Sequence, residues 1–301
     1  MNFNVANRKI TRLGGLVCLA AALGSAAAFA EVEIDRTLEM PADGLVEVEN
    51  LAGSIEITTW DRSEVQVRGD AGDQVEEVEI KSSSSGVQIK VRNRKNSRRV
   101  DGTDLYLRVP VAASIEAEGV SSDVEIKGSK AETISLHTVS GDLEVEAESS
   151  RVELNAVSGD IEFRGAASRV VAESVSGEIT LIGVEGEVTA STVSGDLAME
   201  AKRLSRGRFE TVSGEMMLEL TLIEDGRLSC DSMSGDVQLR LPADQEAEFT
   251  AQSYSGDIHS DFGRAVSVSQ GPGSSLNYSV GNSAARIRLE TFSGDISIRA
   301  K

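Results

Sequence analysis

A four-residue unit returns along this chain at a nearly fixed interval. Val-Ser-Gly-Asp stands at Val139 to Asp142, Val157 to Asp160 and Val193 to Asp196, and Val-Ser-Gly-Glu at Val175 to Glu178 and Val212 to Glu215. Looser copies follow at Met233 to Asp236, Tyr254 to Asp257 and Phe292 to Asp295. The glycines at 141, 159, 177, 195, 214, 235, 256 and 294 are separated by 18, 18, 18, 19, 21, 21 and 38 residues. A constant period near 20 is the mark of a solenoid, in which each repeat is one coil that buries its apolar face only against its neighbours. The final step is two periods long, which places a degraded coil near Gly271-Pro-Gly-Ser-Ser275.

Offsets from each glycine resolve the coil. Seven residues before it stand Ile134, Val152, Val170, Val188, Leu228, Phe249 and Ile287; five before it come Leu136, Leu154, Ala172, Ala190, Phe209, Cys230, Ala251 and Leu289. Position −3 is small or hydroxylated, from Thr138 through Thr291, and position +2 is apolar, from Leu143 through Ile296. Position −2 holds Val139, Val157, Val175, Val193, Val212, Met233, Tyr254 and Phe292. Assigning every apolar row to the interior gives an inward set of −7, −5, −3, then −2, 0, +2 and +4. A one-residue change of phase turns side chains to the opposite face, so this assignment bends the chain between −3 and −2. The same ruler fits Ser122, with Ile115, Ala117, Val120, Val124 and Ile126, and Gly53, with Val46, Val48, Leu51, Ile55 and Ile57.

Between these two positions lie further alternating runs, such as Glu64-Val-Gln-Val-Arg, Val87-Gln-Ile-Lys-Val and Leu105-Tyr-Leu-Arg-Val. Period-2 alternation bounded by Gly, Ser and Asp predicts strands. The expected fold is all-β: a single-chain β-solenoid, or β-helix, of 18–21 residues per coil with an N-terminal β cap. The expected organisation is a signal peptide over 1–30, an N-terminal β region over 31–111 and a repeat domain over 112–301.

The signal is read from Arg8, Lys9 and Arg12, the apolar run Leu13 to Leu23, and the small-x-small site Ala28-Phe29-Ala30. Such a run is short for a membrane span. Val17 before Cys18 lacks the small residue of a lipid-anchoring signal. An exported protein, periplasmic or at the cell surface, is expected, with no transmembrane segment after cleavage. The full chain carries a net charge of −19. That sign opposes nucleic acid, which requires a basic footprint. Cleavage leaves Cys230 alone, so no internal disulfide forms; its −5 offset marks a buried apolar residue rather than a nucleophile. Aromatic residues make up only 4% of the chain, which suits a narrow stacked core of Val, Ile, Leu and Ala.

The run Ile55-Glu-Ile-Thr-Thr-Trp60-Asp61-Arg62, followed by Val65-Gln-Val, and the run Leu105-Tyr-Leu-Arg-Val-Pro110 leading into the Ser-Gly-Asp repeats resemble the bacterial putative-adhesin family of β-strand-repeat domains of unknown function. The resemblance implies an exported β-solenoid and carries over no catalytic residue.

Candidate sites are few. No catalytic, cofactor or metal motif is present, and His137 and His259 belong to none. Two acidic rows coincide at Asp123, Glu125, Asp142, Glu144, Asp160 and Glu162. These carboxylates serve local backbone hydrogen bonding or offer a surface to a cation, although a flat strand face supplies fewer oxygens than the six to eight calcium takes. Arg92, Arg94, Lys95, Arg98 and Arg99 form a basic island that reads as a solvated hairpin loop or a contact for anionic headgroups. The expected function is a non-enzymatic binding, adhesion or structural module of the cell envelope, its partner an envelope protein or glycan surface. The competing readings are a solenoid carbohydrate-active enzyme working with surface carboxylates and a periplasmic accessory to envelope-stress signalling.

Overall fold

The computed structural model describes residues 32–72, 75–94, 102–263, 266–267, 273–282 and 284–301. The expected signal over 1–30 and the basic residues Lys95, Arg98 and Arg99 lie outside the described residues. Every regular element among the described residues is a strand. The N-terminal part contains β1 (Val32–Glu39), β2 (Leu45–Trp60), β3 (Glu64–Ala71), β4 (Val75–Ser82), β5 (Gly86–Asn93) and β6 (Thr103–Pro110). The repeats contribute β7 (Ser114–Ser129), β8 (Thr133–Ser140), β9 (Leu143–Ser158), β10 (Ile161–Ser176), β11 (Ile179–Ser194), β12 (Leu197–Ser213) and β13 (Met216–Ser234). The C-terminal part contains β14 (Val237–Leu241), β15 (Ala247–Ser255), β16 (Ile258–Ser260), β17 (Val266–Ser267), β18 (Ser274–Val280), β19 (Arg286–Ser293) and β20 (Ile296–Ala300). The fold is all-β and solenoid-like.

Each repeat has two limbs joined at the Ser-Gly-Asp corner. The limb before the corner and the limb after it each pair in parallel with the equivalent limb of the next repeat. Thus Val152 aligns with Val170 and Val188, and Leu143 with Ile161 and Ile179. The rows at −7, −5, −3 and +2 are buried as expected: Ile134, Leu136, Val170, Ile179 and Leu197 are at most 1% exposed, and Thr138, Thr192 and Thr211 at most 5%. The corner glycines form a column. A Cβ built on Gly159, Gly177, Gly195, Gly214 or Gly235 would lie 2.0 Å from the carbonyl oxygen of the preceding glycine. Glycine is required there because backbone meets backbone at that point.

One row departs from the expectation. Val139, Val157, Val175, Val193 and Val212 are 45–47% exposed, Met233 57%, Tyr254 52% and Phe292 59%. Val120 and Leu51 in the earlier coils are exposed as well. Strict alternation continues through −3 and turns −2 outward; the change of phase falls at the Ser-Gly-Asp corner itself, one to two residues later than expected. Apolar character alone placed this row inside, whereas the backbone period places it outside.

The ends also depart from sequence order. β2 pairs in parallel with β7 on one side, and on its other side with β5 and β6. Val46 and Val48 align with Val87 and Ile89, and Ile55 and Ile57 with Leu105 and Leu107. The stretch between Gly53 and Ser122 therefore contains a further coil, with Thr103 opposite Gly53. Antiparallel β4 covers β5, antiparallel β3 covers β6, and β1 lies outside β3. At the other end, β13 and β14 pair with β19 and β20, which in turn pair with β15 and β16. The Gly294 coil thus lies between the Gly235 and Gly256 coils. The 38-residue step reflects this insertion. Of the segment expected to hold a degraded coil, Gly271 and Pro272 lie outside the described residues, and Ser274 and Ser275 open β18, which runs antiparallel to β15 and covers its edge.

Candidate functional site

The acidic rows have a structural occupation. Asp123 accepts a hydrogen bond at Oδ1 from the Asp142 backbone N–H (3.0 Å), Asp142 from Asp160 (2.9 Å), and Asp160 from Glu178 (2.8 Å). The pattern continues from Asp196 to Glu215, Asp236 to Asp295 and Asp295 to Asp257, each at 2.8 Å. Each aspartate satisfies a corner N–H of the next coil, a bond to a charged acceptor that contributes about 1 kcal/mol at an exposed position. The second acidic row is drawn into surface ion pairs: Glu125 with Lys127, and Glu144 and Glu162 with Arg164. No cluster of His, Cys, Asp or Glu among the described residues could hold a metal ion.

Of the basic island, Arg92 lies on β5 and pairs with Glu79 of β4 at 2.8 Å, and Arg94 is exposed just beyond it. Hydrogen bonds from Lys81 and Arg92 hold the Glu79 carboxyl down at about 2, from an ordinary 4.5. His137, on β8, hydrogen-bonds with Ser135 and Asn155, each at 3.1 Å, and His259 is exposed on β16, many coils away. Cys230 is fully buried, and burial pushes its thiol well above the ordinary range, which makes it inert at neutral pH. Trp60 is half-buried at the rim, donating through Nε1 to the Glu64 carbonyl at 2.8 Å, with the Arg62 guanidinium over its ring.

The site that sequence reasoning missed is the outward −2 row. Over most of its length it is a column of valines, a residue that suits a strand surface whether or not anything binds. Toward the C-terminal end it changes to Met233, Phe292 and Tyr254, in that spatial order. The Phe292 and Tyr254 rings are 5.9 Å apart and tilted by 31°. A groove of about 510 Å³ opens here, with Val193, Val212, Met233, Phe292 and Tyr254 along it. Beneath it lie the inward hydroxyls of the −3 row, of which Ser174 Oγ and Thr211 Oγ1 are buried without a hydrogen-bond partner. The available signal was the growth of the −2 side chain from valine to methionine and aromatics, which core packing in a column of constant width would not favour. A second trough, about 810 Å³, runs along another edge past Lys130, Glu132, Glu148 and Arg203; its lining is small and mixed in charge.

A family model described as Toastrack DUF4097 matches residues 37–209 and again residues 191–299. No curated protein matches the chain. Among solved structures, a putative adhesin from Parabacteroides merdae is similar at 10% identity and a TM-score of 0.47, covering 89% of this chain and 96% of that one. A putative adhesin from Bacteroides fragilis is similar at 12% identity and a TM-score of 0.42, covering 90% and 98%. A putative lipid binding protein from Parabacteroides distasonis is similar at 11% identity and a TM-score of 0.47, covering 89% and 96%.

Proposed function

The chain belongs to the Toastrack DUF4097 family, and from that premise we propose that it is an exported, non-enzymatic binding or adhesion module of the bacterial cell envelope. The supporting observation is the continuous apolar row on one outer face, ending in Met233, Phe292 and Tyr254, each more than half exposed. A contiguous apolar surface is costly to leave in water and marks an interaction face. The stacked coils supply a rigid support that fixes the spacing of these side chains, as a recognition surface requires. The corner aspartates favour no catalytic reading, since their carboxylates are engaged with backbone N–H groups of the next coil.

The test uses the chain without residues 1–30, incubated with isolated bacterial envelopes and with envelope polysaccharides. The expected result is retention on envelopes, reduced by the double substitution Met233→Ser and Phe292→Ser, with no polysaccharide cleaved. Release of new reducing ends from a polysaccharide would overturn the reading in favour of an enzyme.

A further inference from the structure

We infer that the groove along Val193, Val212, Met233, Phe292 and Tyr254 receives a cationic amphipathic α-helix of a partner protein; this rests on the binding-module reading above. Three features on this face converge on that occupant. The first is spacing. Five rungs at about 4.8 Å per coil span roughly 19 Å. Side chains on one face of a β-strand recur about every 6.6–6.8 Å and fall out of step after two rungs. Turns of an α-helix recur every 5.4 Å, so a helix lying along the column drifts by only about half a rung over this span. About 13 helical residues cover it, at 1.5 Å each.

The second feature is charge. On the corner side the row is flanked by Asp196, Glu215, Asp236, Asp295 and Asp257, and on the strand side by Glu210, Asp231 and Glu290. Arg208 and Arg288 pair with Glu210 and Glu290, whereas Asp196, Asp236 and Asp295 use one carboxylate oxygen for a backbone N–H, an uncharged partner. An apolar strip between acidic borders complements a helix with one apolar stripe and basic flanks, the arrangement of helix-in-groove recognition. The same borders disfavour an anionic lipid surface, and they disfavour a second copy of this chain placed face to face, since both would bring like charges together.

The third feature is the graded size of the rungs. Valines leave room for a helix to approach, and the methionine and aromatic pair at one end provide the adaptable, large-area contacts that concentrate binding energy. Phe292 and Tyr254 become neighbours only because the last coil is inserted between two others, so this anchor belongs to the folded stack and not to any linear segment.

The experiment is fluorescence anisotropy with three labelled synthetic peptides: leucine at i, i+3, i+4 and i+7 with lysine elsewhere; the same composition as strict Leu-Lys alternation; and the helical pattern with serine in place of leucine. The expected result is tightest binding of the helix-patterned peptide, weakening with salt, and reduced about tenfold or more by Met233→Ser with Phe292→Ser. The same double change at Val139 and Val157, on the same row but outside the groove, is expected to leave binding within about twofold and serves as the folding control. Preference for the alternating peptide, equal binding of the serine peptide, or indifference to Met233→Ser with Phe292→Ser would overturn the inference. So would a dimer in sedimentation that Phe292→Ser disperses, since the occupant would then be a second copy. Retention on envelopes without peptide binding would overturn the helix while leaving the binding module standing; loss of both would remove the module as well.

Discussion

In the middle of the stack, the coils marked by Gly141, Gly159, Gly177, Gly195, Gly214 and Gly235 follow one another in space in the order of the sequence; at both ends they do not. The β2 coil sits between β5–β6 and β7, and the β19–β20 coil sits between β13–β14 and β15–β16. Strands that run antiparallel then cover the outermost parallel edges. The middle solves one problem repeatedly, the burial of an apolar face against an identical neighbour. The ends solve a different one. A parallel edge left open is a template for pairing with other chains, and a terminal repeat with nothing to stack on is free to fray. Inserting each terminal coil between two others gives it neighbours on both sides, and the antiparallel strands give the new outermost coil a partner of opposite direction.

The contrast predicts unequal tolerance to loss. Excision of one middle coil, residues 161–178, joins Asp160 to Ile179 in unchanged register and is expected to leave a cooperatively melting protein. Removal of the inserted coil, residues 286–301, exposes the facing edges of β13–β14 and β15–β16 and is expected to give an aggregating or unfolded chain. Circular dichroism melts and sedimentation of the two deletions side by side make the comparison; similar behaviour of both would erase the distinction between middle and end.

A smaller effect concerns the glycine column. In the middle, Gly177→Ala places a Cβ against the Gly159 carbonyl at 2.0 Å and is expected to destabilise by about 3 kcal/mol. Near the N-terminal end the same place is held by Ser122, buried, with its hydroxyl on the Asn50 carbonyl at 3.2 Å. Ser122→Gly is expected to cost no more than about 1 kcal/mol, the loss of one hydrogen bond. Urea unfolding of both variants measures the difference.

The smallest effect tests the N-terminal covering strand. The Glu79 carboxyl is depressed to about 2 by Lys81 and Arg92. A depressed carboxylate contributes stability that is present in full above its unfolded value and is lost as pH falls through the folded one. Glu79→Gln is therefore expected to lower the urea midpoint slightly at about pH 7, with the gap to the parent closing as pH approaches about 2. A gap independent of pH would assign Glu79 a packing role instead.

Much of this architecture was legible before any coordinate. The period of 18 to 21 residues and the rows at −7, −5, −3 and +2 identify the interior, because a stacked coil repeats its burial pattern at each level. The equivalence of Gly53 and Ser122 was also readable, and the two residues pair directly. Two things were not. The row from Val139 to Phe292 is apolar and exposed, and composition cannot separate an apolar residue that packs from one that is presented; only the position of the corner decides. Spatial order at the ends was hidden for a different reason. Repeats with the same buried pattern are interchangeable as neighbours, so nothing in the residues around Gly256 and Gly294 states which of them touches Gly235. The site suffered from both effects, since the rung that joins Phe292 to Tyr254 is created by insertion.

The inserted C-terminal coil also sets a schedule for assembly. β15 and β16 have no place on the stack until β19 and β20 have joined β13 and β14, and those strands come later in the chain than the ones they must precede on the stack. However early the middle coils zip together from local contacts, the far end waits for residue 300 or so to emerge, and the groove is completed in the same event. A chain that emerges N-terminus first therefore carries an unfinished edge until β19 and β20 have followed, and only then brings Phe292 beside Tyr254 to complete its aromatic anchor.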